Sequence, residues 1–215
     1  MPGVGNDVVD LKDPANRGKS GDERFLDRVC TVEEREMLDG ARSPDPLLWS
    51  LWAAKEAAYK AVSRGDPSVS SVPRRYPVHL DPPRSHLDGG GADEAEGPLT
   101  GRVITPRGEV ALRVTVTAEY VHALAAGSEA DFAGIIQRVD RMDGVGDLGD
   151  ASAQVRTRLL TDISRRLGCP IADLEVRKEP PGSDAPRVFL RGRPLAAEVS
   201  LSHDGRFCAF ALAFR

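Results

Sequence analysis

The residues with the clearest chemical potential lie in the run 52–61, which reads WAAKEAAYKA. Glu56 and Lys60 are four residues apart and would share one face of a helix, with Lys55 beside Glu56 in the sequence. Taken alone, this run fits a solvated Glu–Lys pair, which contributes only a few tenths of a kcal/mol. A catalytic or ligand-binding role therefore needs partners from elsewhere in the chain.

Two other stretches supply such partners. Asp7 and Asp10 are placed at the end of a predicted first strand, and Ser202, His203 and Asp204 at a turn between the last two strands. A carboxylate on a strand and another on a helix can share one hard cation, and magnesium prefers one or two carboxylates together with waters and phosphates. Lysines beside it would bind phosphate oxygens as point charges. The combination indicates a magnesium and phosphate site, although Asp10 and His203, each taken alone, are better explained as a strand-end residue and a hairpin-corner residue.

Composition describes an ordinary globular chain of 215 residues, with 40% hydrophobic and 29% charged residues and a formal net charge of -4. This charge provides no overall field for nucleic acid. No apolar run approaches the roughly 18 residues of a membrane helix, and the N-terminus lacks the pattern of a signal peptide. The three cysteines have no zinc spacing and favour a reducing compartment, so we expect a cytoplasmic protein.

The elements that must position these residues can be read from local patterns. Thr31 and Glu34 form a Thr-x-x-Glu capping box, which predicts a helix beginning at Val32. This helix belongs to the stretch 22–38, which is predicted to form one or two helices. Further helices are predicted at 47–65, 132–142 and 152–168. The predicted strands are 4–11, 76–81, three antiparallel strands within 101–127, 173–178, 187–190, and a hairpin over 198–214 that turns at Asp204-Gly205. The Gly-rich, acidic stretch 82–99 is predicted to be a mobile loop without an assigned role, and 143–151 a linker.

This order places helices before a strand meander twice along the chain. It predicts an α+β protein with two halves, 1–127 and 128–215, each with a small antiparallel sheet packed on helices. The first half would hold the Asp7 strand and the Lys-Glu helix, and the second half the Ser-His hairpin. We expect the halves to meet at a shared contact.

Several of these motifs together resemble the 4′-phosphopantetheinyl transferases. GNDVVDL is similar to the Gly-x-Asp-x-x-acid strand of that family, and WAAKEAAYKA resembles its Trp-x-x-Lys-Glu-x-x-x-Lys signature. FLDRVCTVEE resembles the segment that follows in the holo-acyl-carrier-protein synthase branch. GRP with VSLSHDG is similar to the Gly-Lys-Pro and Ser-Leu-Ser-His elements.

The resemblance implies transfer of the phosphopantetheine arm of coenzyme A to a serine of an apo acyl or peptidyl carrier protein, with magnesium, and release of adenosine 3′,5′-bisphosphate. It implies that Asp7 and Glu56 bind the metal, and that Glu56 and Lys60 are catalytic. Glu56 would act as a ligand, as a base toward the carrier serine, or as both. The coenzyme A phosphates would be held by Lys55, Lys60, Arg193, Ser202 and His203.

The sequence departs from the family pattern at two acidic positions. Val9 stands where the surfactin-type enzymes carry a third carboxylate, two residues after Asp7. Asp10 replaces the glutamate usual in the small synthases, and whether it reaches the metal is left open. A degenerate homologue that binds coenzyme A or a carrier protein without turnover is therefore the alternative function. A magnesium phosphohydrolase is a weaker third reading, since no second metal cluster is visible.

The motif order follows the small homotrimeric synthases, but the length is closer to that of the surfactin-type enzymes, which fuse two halves in one chain. We therefore expect a pseudo-dimer with its halves in swapped order, acting as a monomer, with a homotrimer as the alternative. The carrier protein and its pathway (fatty acid, polyketide or nonribosomal peptide synthesis) stay open, as does any role of 82–99.

Overall fold

A computed structural model describes residues 3–82, 98–142, 148–178 and 185–215, with backbone alone at 148 and 149. The α-helices are α1 Glu23–Val29, α2 Val32–Asp39, α3 Pro44–Ser63 and α4 Leu148–Leu167. The strands are β1 Gly5–Asp10, β2 Val78–Leu80, β3 Leu99–Thr105, β4 Gly108–Val116, β5 Tyr120–Ala126, β6 Ile135–Arg141, β7 Leu174–Lys178, β8 Pro186–Leu190, β9 Arg193–Pro194, β10 Ala197–Asp204 and β11 Phe207–Phe214. Short 3₁₀ segments lie at Pro14–Asn16, Lys19–Gly21, Pro73–Arg75, Glu129–Gly134 and Ile171–Asp173.

The first five strands form one antiparallel sheet in the order β1-β5-β4-β3-β2, and α3 packs across it. The face of α3 toward the sheet is built from fully buried alanines, namely Ala53, Ala54, Ala57, Ala58 and Ala61. These small side chains let the helix backbone approach the sheet closely. The approach is tightest at Gly5, where an added Cβ would lie 1.9 Å from the Ala57 carbonyl oxygen. Only glycine fits there, so the central part of α3 is held directly against β1.

The later part of the chain forms two three-stranded sheets, β10-β11-β6 and β7-β8-β9. Helix α4 packs on β10, β11 and β7, and its buried residues Val155, Leu159 and Ile163 join a separate hydrophobic core. This arrangement confirms the mixed α+β class. The division at 127/128 and the pseudo-dimer relation of the two halves stay predictions.

Strands β1 and β10 lie side by side without backbone hydrogen bonds between them. Instead, the backbone N–H group of every second residue from Val4 to Asp10 donates to the side chain of every second residue from Glu198 to Asp204. The four pairs are Val4 to Glu198 (3.1 Å), Asn6 to Ser200 (2.9 Å), Val8 to Ser202 (3.2 Å) and Asp10 to Asp204 (2.8 Å). Each pair is separated by 194 residues, so the two strands run parallel. We call this contact between β1 and β10 the seam.

Most predicted elements are confirmed, including the Thr31–Glu34 capping box and the C-terminal hairpin. The hairpin turn lies one residue later than predicted, at Gly205-Arg206, because Asp204 is still paired with Phe207. The helix predicted at 132–142 is wrong, because 135–141 is strand β6, paired along its length with β11. The partner strand overrides the local helical pattern in this segment, where Ile135, Ile136 and Val139 suit a pleated surface. The predicted loop 82–99 lies outside the described residues except at its ends. The linker predicted at 143–151 is wrong for its last four residues, because 148–151 are the first turn of α4, and 143–147 lie outside the described residues.

Among the described residues, no helix has the length and apolar character needed to cross a membrane.

Candidate active site

The candidate site is centred on Asp7, in the middle of β1. Its carboxylate is largely buried, and its Oδ1 accepts two hydrogen bonds, from Lys60 Nζ at 2.8 Å and from Ser202 Oγ at 2.7 Å. Oδ2 accepts no hydrogen bond from any described residue. It is also not fully buried, because it is not one of the buried side-chain atoms that lack a hydrogen-bond partner. Asp7 Oδ2 therefore keeps some solvent accessibility and an acceptor position for a ligand.

Lys60 approaches Asp7 from α3. Its Nζ donates to Asp7 Oδ1 and, at 3.1 Å, to the backbone carbonyl of Asn6. An ammonium group has three N–H donors, so these two bonds leave one for another acceptor. The Lys60 side chain is 30% exposed, which leaves that donor accessible to an incoming anion.

Glu56 lies one turn before Lys60 on α3, half-buried. Burial and the nearby negative charge of Asp7 raise the pKa of Glu56, and Lys60 opposes this rise only in part. Two carboxylates that repel each other are stabilised when a cation lies between them. The structure thus brings Asp7, Glu56 and Lys60 together as the sequence predicts.

The donor set fits a divalent cation of the magnesium type. Within the described residues, no three or more His, Cys, Asp or Glu side chains are grouped as a ready-made metal cage. Magnesium does not need such a cage, since one or two carboxylates with waters and substrate phosphates satisfy it. Asp7 Oδ2 and the Glu56 carboxylate would be the protein ligands. Val9 is buried in the hydrophobic core and contributes no third carboxylate.

The sequence left open whether Asp10 binds the metal, and in the structure its carboxylate is bound by Arg206 instead. The Arg206 guanidinium donates two hydrogen bonds of 2.7 Å to this carboxylate, and the backbone N–H groups of Lys12 and Arg206 also donate to it. Burial alone would raise the pKa of Asp10, but these hydrogen bonds outweigh burial and lower it. Gly205 makes this possible, since an added Cβ would lie 2.6 Å from Asp10 Oδ2 at a residue with φ of +49°. Asp10 closes the β10–β11 hairpin onto β1.

Lys55 was expected at the phosphates, and the structure places it elsewhere. Its side chain is 1% exposed, and Nζ bonds Glu34 at 2.8 Å and the carbonyls of Tyr76 and Pro73 at 3.0 and 3.4 Å. All three N–H donors are therefore used within the protein. Because Lys55 is occupied away from Asp7, we leave it out of the candidate site and assign it to the attachment of α3 to α2.

The remaining predicted ligands lie in the second half of the chain. Ser202 bonds Asp7, as described above, and is buried. His203 is the next residue on β10, so its half-buried side chain points to the opposite face of the strand from Ser202. Arg193 is exposed on β9, in a different sheet. The structure therefore brings Ser202 to Asp7, but not His203 or Arg193.

His122 on β5 is a buried residue near the site that the sequence did not single out. Its Nε2 lies 3.4 Å from Asn6 Nδ2, and the Asn6 carbonyl accepts from Lys60. Burial, with a smaller contribution from the Lys60 charge, lowers the pKa of His122 to about 4. The imidazole is therefore neutral at physiological pH and lies beside Asn6 of β1. A single histidine in an apolar strand gave no signal of this role.

This burial predicts a pH dependence of stability. The pKa of His122 is about 6.5 in the unfolded chain and about 4 in the folded protein, so between these pH values the unfolded chain binds a proton that the folded protein does not. The free energy of unfolding should therefore fall as pH decreases through this window, by up to about 3 kcal/mol from His122. Urea unfolding at pH 7.5 and pH 4.5 measures the loss.

Two variants isolate the contribution of His122. His122→Gln should lose less stability on acidification than the unchanged protein, because the titrating group is gone. His79→Gln, at an exposed position on β2, should lose as much as the unchanged protein. If the His122→Gln protein shows the full acid loss, the folded protein does not exclude a proton at this residue.

A family comparison is consistent with this geometry. Residues 3–85 match the model of the 4'-phosphopantetheinyl transferase superfamily. The matched segment contains β1, α1, α2, α3 and β2, and with them Asp7, Glu56 and Lys60. The match confirms the resemblance carried by the motifs within residues 3–85, and the GRP and VSLSHDG motifs lie outside it.

Proposed function

We propose, from the superfamily match of residues 3–85, that the chain transfers the 4′-phosphopantetheine arm of coenzyme A to a serine of an apo acyl or peptidyl carrier protein. The observation that carries this proposal is the acid pair of Asp7 and Glu56 with Lys60 beside it. One oxygen of Asp7 accepts no hydrogen bond from a described residue, and neither does the Glu56 carboxylate. This arrangement suits a diphosphate held through a divalent cation.

A magnesium ion bound by Asp7 and Glu56 would neutralise the diphosphate and stabilise charge that develops on the leaving phosphate. Lys60 has an N–H donor left for that leaving phosphate. The serine oxygen of the carrier forms a bond to the pantetheine-linked phosphorus, and the bond from that phosphorus to the bridging oxygen breaks. Adenosine 3′,5′-bisphosphate leaves with the bridging oxygen.

Glu56 is suited to accept the serine proton, directly or through one water. Its raised pKa makes it a stronger base than an ordinary surface glutamate. The same carboxylate can hold the cation through its other oxygen, so the ligand and base roles do not exclude each other.

The two aspartates of β1 should behave differently when replaced. Asp7→Asn is expected to lower transfer by about a hundredfold or more, because a charged ligand of the cation is lost. Asp10→Asn should keep transfer within about tenfold and lower the free energy of unfolding by about 2 kcal/mol, because the Arg206 contact weakens. Magnesium titration of the initial rate and urea unfolding of both variants measure these effects. An Asp10→Asn protein that needs as much extra magnesium as Asp7→Asn would place Asp10 among the ligands.

The proposed transfer is tested directly by mass spectrometry of intact carrier proteins. The purified chain is incubated with coenzyme A, magnesium and a panel of apo carriers from fatty acid, polyketide and nonribosomal peptide systems. Gain of one phosphopantetheine arm, blocked by chelation of the metal, supports the proposal and identifies the preferred carrier. No gain on any carrier would contradict it.

The buried Val9 favours a second candidate function. With no third carboxylate at that position, a protein that binds coenzyme A or a carrier without turnover is a coherent alternative. The same panel separates the two, because binding of coenzyme A by calorimetry without any transfer would support the binding protein.

We further propose that the active unit is a single chain. The seam joins β1 to β10 within the same chain and brings Ser202 to Asp7, which supports a pseudo-dimer whose coenzyme A cleft lies between its halves. Size-exclusion chromatography with light scattering tests this, since a stable trimer would favour a site shared between subunits.

A further inference from the structure

Four side chains of the seam accept a hydrogen bond from a backbone N–H group of the first segment, and the Ser202 side chain differs from the other three in its second contact. Glu198 accepts from Arg215 and Asp204 accepts from Asn16, and neither forms a hydrogen bond with Asp7. Ser202 alone of the four both accepts from β1 and donates to the Asp7 carboxylate. It therefore links the second half of the chain to the central carboxylate of the candidate site.

The hydrogen bonds of Ser202 fix the direction of its hydroxyl. Oγ accepts from Val8 N at 3.2 Å and lies 2.7 Å from Asp7 Oδ1. A serine hydroxyl has one O–H donor, and an ionised carboxylate can only accept, so this proton is directed at Asp7. A phosphate would have to compete with a buried carboxylate for the same proton. This argues against the coenzyme A phosphate contact expected for Ser202.

Lys60 and Ser202 reach the same oxygen of Asp7 from two different elements. Lys60 comes from α3 and Ser202 from β10, and both donate to Oδ1, leaving Oδ2 without a donor among the described residues. A carboxylate with one oxygen held by two donors loses most of its rotational freedom. Groups that hold a metal ligand in this way usually change metal affinity severalfold or more when they are removed.

We infer that Ser202 is a positioning residue that orients Asp7 for cation binding from the second half of the chain. This inference rests on the proposed function in that it takes Asp7 to be the cation ligand. Its effect is on the affinity for the cation, since the Ser202 hydroxyl is already engaged by Val8 N and Asp7 Oδ1.

The test compares two serines of the seam. Ser202→Ala removes a bond to β1 and the bond to Asp7, whereas Ser200→Ala removes only a bond to β1, from Asn6 N. Binding of Mn²⁺ to each purified protein is followed by the electron paramagnetic resonance signal of the free ion. Ser202→Ala should weaken Mn²⁺ binding by about tenfold, and Ser200→Ala should leave it within about twofold of the unchanged protein. Ser202→Thr, which keeps the hydroxyl, should bind Mn²⁺ more tightly than Ser202→Ala.

Transfer assays on the same proteins separate the inference from the proposed function. In Ser202→Ala, the magnesium concentration for half-maximal rate should rise while the rate at saturating magnesium changes little. Equal weakening of Mn²⁺ binding by Ser202→Ala and Ser200→Ala would assign the effect to general packing of the seam and overturn the inference. Unchanged Mn²⁺ binding in Ser202→Ala, or none in the unchanged protein, would also overturn it, even if transfer to a carrier is observed. Failure of transfer with Mn²⁺ binding altered as expected would instead contradict the proposed reaction alone.

Discussion

Replacing Glu56 by glutamine is expected to lower the rate of transfer by about a hundred- to a thousandfold at saturating magnesium. The amide keeps the size of the side chain but removes the negative charge that would hold the cation and the basic oxygen that would accept a proton. The half-buried position of Glu56 and its raised pKa make both losses larger than at a solvated residue. Initial rates with a competent apo carrier, measured across a magnesium titration, give the effect.

A matched control is Glu36→Gln on α2, where the glutamate is exposed. It removes the same charge from the same protein and should leave the rate within about twofold, since surface substitutions away from a site are usually neutral. The folded state of both variants is checked by their urea unfolding midpoints. A Glu56→Gln enzyme with nearly full activity would remove Glu56 from the catalytic site and with it the main support for the proposed mechanism.

Replacing Lys55 by methionine is expected to cost about 3–5 kcal/mol of unfolding free energy, the range seen when one member of a buried ion pair is removed. Glu34 is buried and receives hydrogen bonds from Lys55, from Thr31 N and from Val78 N. Without Lys55, its negative charge would stay in the core without a countercharge. Urea unfolding of the purified variant measures the loss.

Two comparisons make this prediction specific. Lys19→Met breaks a surface pair with Asp22, whose side chains are 36% and 38% exposed, and should cost less than about 1 kcal/mol. The double variant Lys55→Met, Glu34→Gln removes both charges and should recover part of the stability lost in Lys55→Met alone. If Lys55→Met costs no more than Lys19→Met, the Lys55–Glu34 pair does not contribute to the fold as its burial implies.

The short motifs in the sequence predicted much of the site. Asp7, Glu56 and Lys60 come together because a strand and a helix with the right spacing pack closely, and the alanines and Gly5 that allow this are visible in the sequence. Lys55 was misplaced because adjacent residues on a helix differ by about 100° in direction, so Lys55 and Glu56 face different neighbours. The helical geometry alone was sufficient to separate them.

Other features depend on contacts between distant segments. The binding of Asp10 by Arg206 joins residues 196 positions apart, and no local pattern announces it. Segment 135–141 forms a strand because its backbone pairs with β11. His122 acquires its neutral state from burial, which depends on the assembled tertiary structure around β5. Such outcomes are decided by the tertiary fold and are not encoded in spacing or propensity.

The contact between β1 and β10 also bears on solubility. Each is the outer strand of its own sheet, and an uncovered outer strand with free N–H and C=O groups invites pairing with another molecule. Here each strand shields the other, with serine and acidic side chains occupying the amides that a foreign strand would use. Separation of the two sheets would uncover both strands at once, so a partly opened molecule should be the species that aggregates.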